Sequence, residues 1–352
     1  MLYNYATAMQ ATVSTPAWRT IDFCADWRSA PDVTRELGSG LSVRQVRVLL
    51  DALVSATFLS ASDRRTDPRE DAMERWTAWN PAAGFFHTTS RQVVFGDQAW
   101  FDRRLQAKAI DRPMPASVKS PARVRVPLPQ ARADTPLAKA VLDRRTFRQF
   151  GRARLQLGQL VELLRLTSGI THWLTIPHLG EVPLTGSPSA GARHPIETYV
   201  VAVGVEGLPR GTYRYAPDRH ELDLVARNTT RAQLRAFLPR QPWFAQCGAA
   251  VFFTAVFERS AWRYEFPRAY RTVLLEAGHL CQTFLLAATS LDLAPFCTMA
   301  IDEVRVERHL RINGVDEAVL YAAGVGTRPS TATRVVLPAG RTPAHIRPNV
   351  TR

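Results

Sequence analysis

Lysine is almost missing from this chain. Lys108, Lys119 and Lys139 are three of its 45 basic residues, and the other 42 are arginine. Cysteine is scarce as well. Cys24, Cys247, Cys281 and Cys297 form no C-x-x-C pair and have no zinc-ligand spacing. That excludes a secreted disulfide scaffold and a Cys-rich structural zinc site. No P-loop, HExxH or serine-elbow motif is present, and Gly324-Val325-Gly326 lacks the third glycine of a dinucleotide fingerprint. His279, Gln282 and Asp292 interrupt the longest apolar stretches, well short of a membrane span. The opening MLYNYATAMQATVST has neither a basic n-region nor an apolar h-region. It reads as no signal peptide, and the expected setting is cytoplasmic and reducing.

What is there is an ordinary globular composition. The chain has 352 residues, 46% hydrophobic and 22% charged. That is enough for two domains and for a core that needs no metal or disulfide staple. The net charge of +14 favours anionic partners such as an acidic peptide, a phosphate or nucleic acid. The arginines are scattered rather than gathered in one block, which counts against nucleic acid as the main partner.

Prolines 113, 115, 121, 127, 129 and 136 exclude a long helix and mark an extended linker. The expected division is a domain over 1–111, a linker over 112–134, a larger domain over 135–340 and an irregular tail over 341–352. In the first domain PDVTREL reads as a short helix. Ser42 and Gln45 form a capping box ahead of a second helix with Val46, Leu49, Leu50, Leu53 and Val54 at helical spacing. With ATFLSAS as a strand and RRTDPRED as a polar loop, the region is winged-helix-like, either a binding module or a cap that only packs.

The larger domain alternates elements. Leu160, Leu163, Leu164 and Thr167 mark a helix stopped by Gly169, and ETYVVAVGV, CGAAVFFTAVF and AVLYAAGVG read as strands. GTYRYAPDRHELDLV reads as a hairpin turning at Pro217-Asp218, and TVLLEAGHLCQTFLLAATSLDL as a long buried helix. The pattern is α+β with a central sheet.

Three blocks could carry chemistry. Arg144, Arg145, Thr146 and Arg148 put three guanidiniums and a hydroxyl within five residues, a phosphate grip or a solvated basic turn. Ser187–Pro195 is a loop of small residues stiffened by Pro188 and Pro195, able to approach a planar ligand or simply to lie at the surface. Trp262–Arg271 packs aromatic and charged groups ahead of Glu276-Ala277-Gly278-His279. His279, in an apolar helix, reads first as a satisfied core histidine.

In order and spacing these blocks resemble the SagB/ThcOx-type FMN-dependent dehydrogenases, a branch of the nitroreductase-like superfamily. The resemblance spans roughly 135–330 and rests on RRTFR, PSAGARHP, RYEFPRAYR, EAGHLCQTFLLAATSLDL and AAGVG. It implies a nitroreductase-like fold, a central mixed sheet flanked by helices, with a winged-helix-like N-terminal region. It implies an FMN homodimer in which Arg144, Arg145, Thr146 and Arg148 hold the phosphate and ribityl end. Pro188, Ser189, Ala190 and Gly191 would line the flavin ring. Met299 and Ala300, following Cys297 and Thr298, would lie near its N5 edge, and Gln282 would contact flavin or the partner subunit.

The implied reaction oxidises a thiazoline or oxazoline in a ribosomally made peptide to the azole. A base removes a ring proton while hydride leaves for flavin N5. The family's Lys-Tyr pair is Arg263-Tyr264 here. Arginine cannot act as a base, so Tyr264 is the expected base and Arg263 its electrostatic support, with His194 and Glu265 in reserve. PSGG is PSAG here, and the family's G-L-G turn reads Leu291-Asp292-Leu293. Expected partners are a precursor peptide and a cyclodehydratase. The alternatives are an NAD(P)H-dependent nitro or quinone reductase on the same fold, a DNA-binding regulator with a flavin sensor, and a scaffold protein whose flavin site has decayed.

Overall fold

The computed structural model describes every residue except 5, 8, 39, 64–67, 92–97, 113, 116, 118–125, 127, 129–134, 240 and 331–352. The stretch 112–134 therefore lies mostly, and the tail 341–352 wholly, outside the described residues. The chain divides by its contacts into two units. One is Met1–Val93 with Ser260–Tyr270, the other Val94–Arg259 with Arg271–Arg352.

The first unit opens with an antiparallel pair, β1 (Leu2–Asn4) and β2 (Met9–Ala11), followed by α1 (Thr15–Phe23), α2 (Ala30–Leu37) and α3 (Val43–Ser55). The capping box read from Ser42 and Gln45 is formed, and Ser29 with Asp32 makes a second one on α2. No strand forms at ATFLSAS. Helix α3 instead ends in a reverse cap. Thr57 takes a left-handed φ of 59°, its N–H bonds Val54 O at 3.0 Å, and Phe58 N–H bonds Leu53 O at 2.9 Å. Those are the two bonds of a Schellman motif, and they leave this backbone folded on the helix rather than extended. The expected polar loop RRTDPRED gives way at Pro68 to α4 (Pro68–Glu74). Proline suits a first helical turn, and Glu70 and Asp71 there complement the helix dipole. Helix α5 (Ala82–Ser90) completes the run.

The second unit contains α6 (Gln98–Asp111), α7 (Pro136–Asp143), β3 (Leu155–Gln156) and α8 (Leu157–Ser168). A hairpin of β4 (Ile170–Ile176) and β5 (Gly180–Thr185) follows, then β6 (Ile196–Ala202), β7 (Val205–Glu206), β8 (Gly211–Ala216) and β9 (Glu221–Arg227). Next come α9 (Arg231–Phe237), β10 (Ala249–Val256), α10 (Phe257–Ala261), α11 (Tyr270–Ser290), β11 (Leu293–Thr298), α12 (Glu303–Leu310) and β12 (Glu317–Thr327). A six-stranded sheet runs β11-β12-β10-β6-β8-β9, with every pairing antiparallel. The short β3–β7 ladder supplies a parallel pairing. The fold class is α+β, as expected, but the central sheet is antiparallel rather than mixed, since the parallel β3–β7 pair is a separate sheet.

Strand β10 lies inside the sheet, which is why its sequence is apolar at consecutive positions instead of alternating. Ala250 and Phe252 join a core with Tyr199 and Val201 of β6, Val319 and Ala322 of β12, Leu234 and Phe237 of α9, and Val306 and Leu310 of α12. Val251 and Phe253, one residue out of step, are equally buried on the opposite face.

The two glycines of AAGVG have a packing reason. Phe296 pairs with Gly324 across β11–β12, and a Cβ on Gly324 would lie 2.2 Å from its Cζ. A Cβ on Gly326 would lie 2.7 Å from Phe150 Cδ1. Phe296 cannot yield, because its ring is held edge-on by Phe244 at 4.4 Å, Trp243 at 5.0 Å and Phe150 at 5.6 Å. Gly324→Ala is therefore expected to cost about 3 kcal/mol by overpacking. Adding Phe296→Leu should restore part of the loss in a denaturant titration, and unchanged stability in the single variant would contradict this packing.

Candidate active site

The arginine block begins where α7 ends. Thr135 caps that helix by accepting from Ala138 N–H at 3.2 Å. At the other end Arg145 Nη1 donates to Leu142 O and Arg144 O, both at 2.7 Å, covering carbonyls the helix leaves unpaired. Phe147 is buried, and its N–H bonds Pro295 O of β11 at 2.9 Å. This single bond fixes the block beside β11. Arg148 is exposed with its guanidinium 5.9 Å from the Trp243 ring centre, Thr146 is exposed, and Arg144 is half-buried. Among the described residues none of Arg144, Arg145 and Arg148 pairs with a carboxylate, whereas Arg165, Arg214, Arg219, Arg259, Arg305 and Arg328 all do.

Cys297 faces this block. A hydrogen bond from the Cys281 thiol, then one from the Tyr321 hydroxyl at 3.5 Å, then the Arg144 charge hold its thiol below the usual range. Past it, Gln241 Nε2 donates to Thr298 Oγ1 at 3.0 Å and to Ala300 O at 3.2 Å. Gln241 thereby fixes the Met299–Ala300 corner, where Met299 is exposed. No sequence signal singled out Gln241, because its partners lie more than fifty residues away.

The small-residue loop is fastened to α11 rung by rung. Ser187 Oγ meets Thr283 Oγ1 at 2.8 Å. His279 Nδ1 approaches Pro188 O at 3.4 Å. Glu276, on the same face of the helix, is buried. Residues 276, 279 and 283 share one face of a helix, so the loop runs antiparallel along it. Gly191 sits at φ 60°, followed by Ala192 at 52° and His194 at 44°. Only the glycine adopts this region without strain. The others are held by contacts: His194 N–H bonds Ser189 Oγ at 2.8 Å, its Nε2 meets Pro183 O at 2.7 Å, and its carbonyl accepts from Arg259 Nη1 at 2.9 Å. Burial depresses the His194 pKa.

His279 is not the core histidine the sequence suggested. It is exposed beside Arg271, Leu274, Leu275 and Gln282, since α11 is enclosed on one side only. Glu276 stands in a block that the sequence singled out without giving this residue a role. It is 3% exposed, and burial raises its pKa to about 7 against the lowering effect of the Ser189 and Ala190 bonds. It lines a cavity of about 420 Å³ together with Ala192, Arg193, His194, Glu197 and Arg259.

Arg263 and Tyr264 belong to the first unit. Arg263 is stacked over the Tyr264 ring, 5.7 Å from its centre, so the cation addresses the ring face. Tyr264 O accepts from Trp79 Nε1 at 2.8 Å and from Phe266 N–H at 2.9 Å. His87 Nδ1 meets Tyr270 OH at 2.9 Å inside a buried cluster with Trp76 and Trp79. Glu265 is exposed. Among the described residues, no hydrogen bond or ion pair links the block 144–148 to the loop 188–191.

Residues 141–327 match the nitroreductase family. The chain belongs to this family. Nitroreductase-family proteins are oxidoreductases that generally bind FMN. The chain is 35% identical over 177 residues to the trifolitoxin-processing protein TfxB of Rhizobium leguminosarum bv. trifolii, covering 48% of this chain and 46% of that protein. It thus spans about half the length of that relative. It is 24% identical over 337 residues to the trifolitoxin operon protein TfxC of the same organism, covering 89% and 88% of the two chains. Among solved structures, a chain of the E. coli microcin synthetase McbBCD complex with truncated pro-MccB17 bound aligns over 82% of this chain and 98% of that one, with 19% identity and a TM-score of 0.46. At that score the likeness decides nothing further. Among the described residues no helix is long and apolar enough to cross a membrane, and no cluster of His, Cys, Asp or Glu is arranged for a metal.

Proposed function

We propose that this nitroreductase-family protein is an FMN-dependent dehydrogenase that modifies a ribosomally synthesised peptide in the cytoplasm, oxidising an azoline ring to the azole. The observation that carries the reading is the 35% identity over 177 residues to a protein named for processing trifolitoxin. The residues fit FMN on one structural ground: three guanidiniums gathered at 144–148 have no carboxylate partner among the described residues, as an anion site requires. Arg144, Arg145, Thr146 and Arg148 would hold the phosphate. Pro188, Ser189, Ala190 and Gly191 would line the ring, with Met299, Ala300 and Gln282 at its edges. When bound, FMN supplies the two-electron oxidant.

Tyr264 would take the proton from the ring carbon beside the carbonyl, and Arg263 would stabilise the charge that develops. A base of this kind contributes about 100-fold or more. Tyr264→Phe should therefore lower turnover of an azoline peptide by at least about 100-fold while FMN content stays at wild-type level. Arg263→Lys, which restores the family pair, should keep activity. Equal loss of FMN in both variants would place the pair outside catalysis.

The partners this reading carries are a precursor peptide, a cyclodehydratase that makes the azoline, and a second copy of the chain. The homodimer is supported by Leu274 and Leu275, 37% and 62% exposed along α11 beside Gln282. The direct test incubates the holoprotein with a cyclodehydratase-treated peptide and reads loss of two hydrogens per ring. Rapid flavin reduction by NADPH with no change in the peptide would favour the reductase reading instead.

A further inference from the structure

Helical threonines in this chain spend their hydroxyl hydrogen on their own helix. Thr20 donates to Pro16 O at 2.9 Å, Thr88 to Gly84 O at 2.9 Å, Thr283 to His279 O at 3.0 Å and Thr289 to Leu285 O at 2.7 Å. Thr167, in the last turn of α8, makes no such bond. It is 1% exposed, and its Oγ1 has no hydrogen-bond partner among the described residues. A buried hydroxyl left unpaired costs stability, so it calls for a reason. Thr167 lines the cavity of about 420 Å³ that Glu276 and His194 also line, and every residue of that lining belongs to the second unit. In the same lining Ser168 Oγ meets Thr198 Oγ1 at 2.7 Å. Two hydroxyls carry two hydrogens and that bond uses one, which leaves a second donor beside Thr167.

We propose that this cavity is a binding site for an uncharged carboxamide side chain, glutamine or asparagine, of the peptide substrate. The proposal rests on the peptide reading above. The lining sets the chemistry. Ile170, Val182, Ile196 and Leu280 give apolar sides that suit a methylene stem. A wholly apolar guest would leave Thr167 Oγ1 buried without a partner. An anionic guest would have to draw Arg214 or Arg259 off Glu197, which holds them at 3.2 and 2.6 Å. A cationic guest would lie against Arg193, Arg214 and Arg259 together. Those three arginines are answered by Glu181, Glu197 and Asp218, and burial raises Glu276 to about 7, so no strong net charge invites an ion. A carboxamide fits what remains. Its oxygen accepts and its N–H groups donate, and a hydroxyl partner can do either. His194 adds an acceptor. Its Nε2 donates to Pro183 O at 2.7 Å, so in the neutral ring Nδ1 carries the lone pair. The volume is that of a small-molecule pocket rather than of one side chain, so the residue enters with its flanking amides. Ala192, Arg193 and His194 line the cavity directly after the segment 188–191, which sets the guest residue next to the ring-lining loop.

The test labels threonine methyl groups in the full-length protein and follows them by NMR as blocked amino acids are added. The probes are the N-acetyl methylamides of glutamine, leucine, glutamate and lysine. The Thr167 methyl is assigned by its absence in Thr167→Val. The glutamine probe should shift the Thr167 and Thr198 methyls, and the other three should bind at least about fivefold more weakly. Thr167→Val, read on Thr198, should weaken the glutamine probe by about threefold to tenfold. The same variant should melt at or above the wild-type temperature, because it removes an unpaired buried hydroxyl. A lower melting temperature means that the hydroxyl is already satisfied by solvent, and overturns the proposal. So does the absence of any shift up to the solubility limit, or equal binding of all four probes. A second arm adds the glutamine probe to the azoline-peptide assay, where KM should rise and kcat stay unchanged. Methyl shifts without that competition overturn the assignment to the peptide substrate. Failure of every azoline peptide to be oxidised overturns the dehydrogenase reading instead, and the methyl shifts still decide what the cavity binds.

Discussion

Arg144→Ala combined with Arg148→Ala is expected to release FMN from the protein. A charge-assisted contact to a phosphate is worth about 1.5–3 kcal/mol, so losing two weakens binding by at least about 100-fold. The two were chosen for what they do in the protein itself. Neither guanidinium pairs with a carboxylate among the described residues, so removing them strands no buried carboxylate, and the loss of Arg144 only relaxes the lowering of the Cys297 thiol. Among the described residues Arg148 rests over the Trp243 ring. Arg145 is a poorer choice, since its Nη1 covers the last carbonyls of α7 and its loss also frays that helix. The double variant should keep the wild-type melting temperature as apoprotein. The FMN-to-protein ratio after gel filtration and a fluorescence titration give the answer. A dissociation constant unchanged from wild type would remove the phosphate role from this block.

Trp79→Ala is expected to destabilise the first unit by about 3–5 kcal/mol. Trp79 is wholly buried and packs edge-on against Trp76 at 5.6 Å and Tyr270 at 6.1 Å. Its Nε1–H is a donor to Tyr264 O. Truncation leaves a cavity and removes that donor. Trp79→Phe keeps most of the volume and loses the hydrogen bond, so it should cost about 1–2 kcal/mol. The contrast separates packing from the bond. Denaturant titration followed by tryptophan fluorescence measures it, and equal costs for the two variants would assign the whole effect to the bond. Trypsin should then cut sooner at Arg263 and Arg268, which lie exposed in the segment Trp79 holds.

The same segment shows where the sequence stops being informative. RYEFPRAYR lies far along the chain from Trp76, Trp79 and His87, and nothing in its spacing announces that these aromatics gather around Tyr270. The strand expected at ATFLSAS failed for a local reason that composition does not reveal. A threonine at left-handed φ closed the helix cap. His279 reads as a core residue because its neighbours in sequence are apolar. Whether they are buried depends on what covers that side of α11.

By itself the sequence determined the elements whose signals are local. The capping box of α3, the stop of α8 at Gly169, the β8–β9 hairpin and the doubly buried β10 follow from hydrogen-bonding side chains and apolar periodicity within a few residues. It also placed the arginine block, the small-residue loop and the glycine pair in an order that marks the family. The tertiary structure alone decided which groups meet. It put Arg145 on its own helix end, Gln241 on the Met299–Ala300 corner, Phe296 over Gly324, and Ser187 on Thr283 of α11. Those contacts bridge residues distant in the chain. Their strength comes from burial, which shifts the Glu276 pKa and forbids a Cβ at Gly324, and burial is a property of the packed fold rather than of any stretch of sequence.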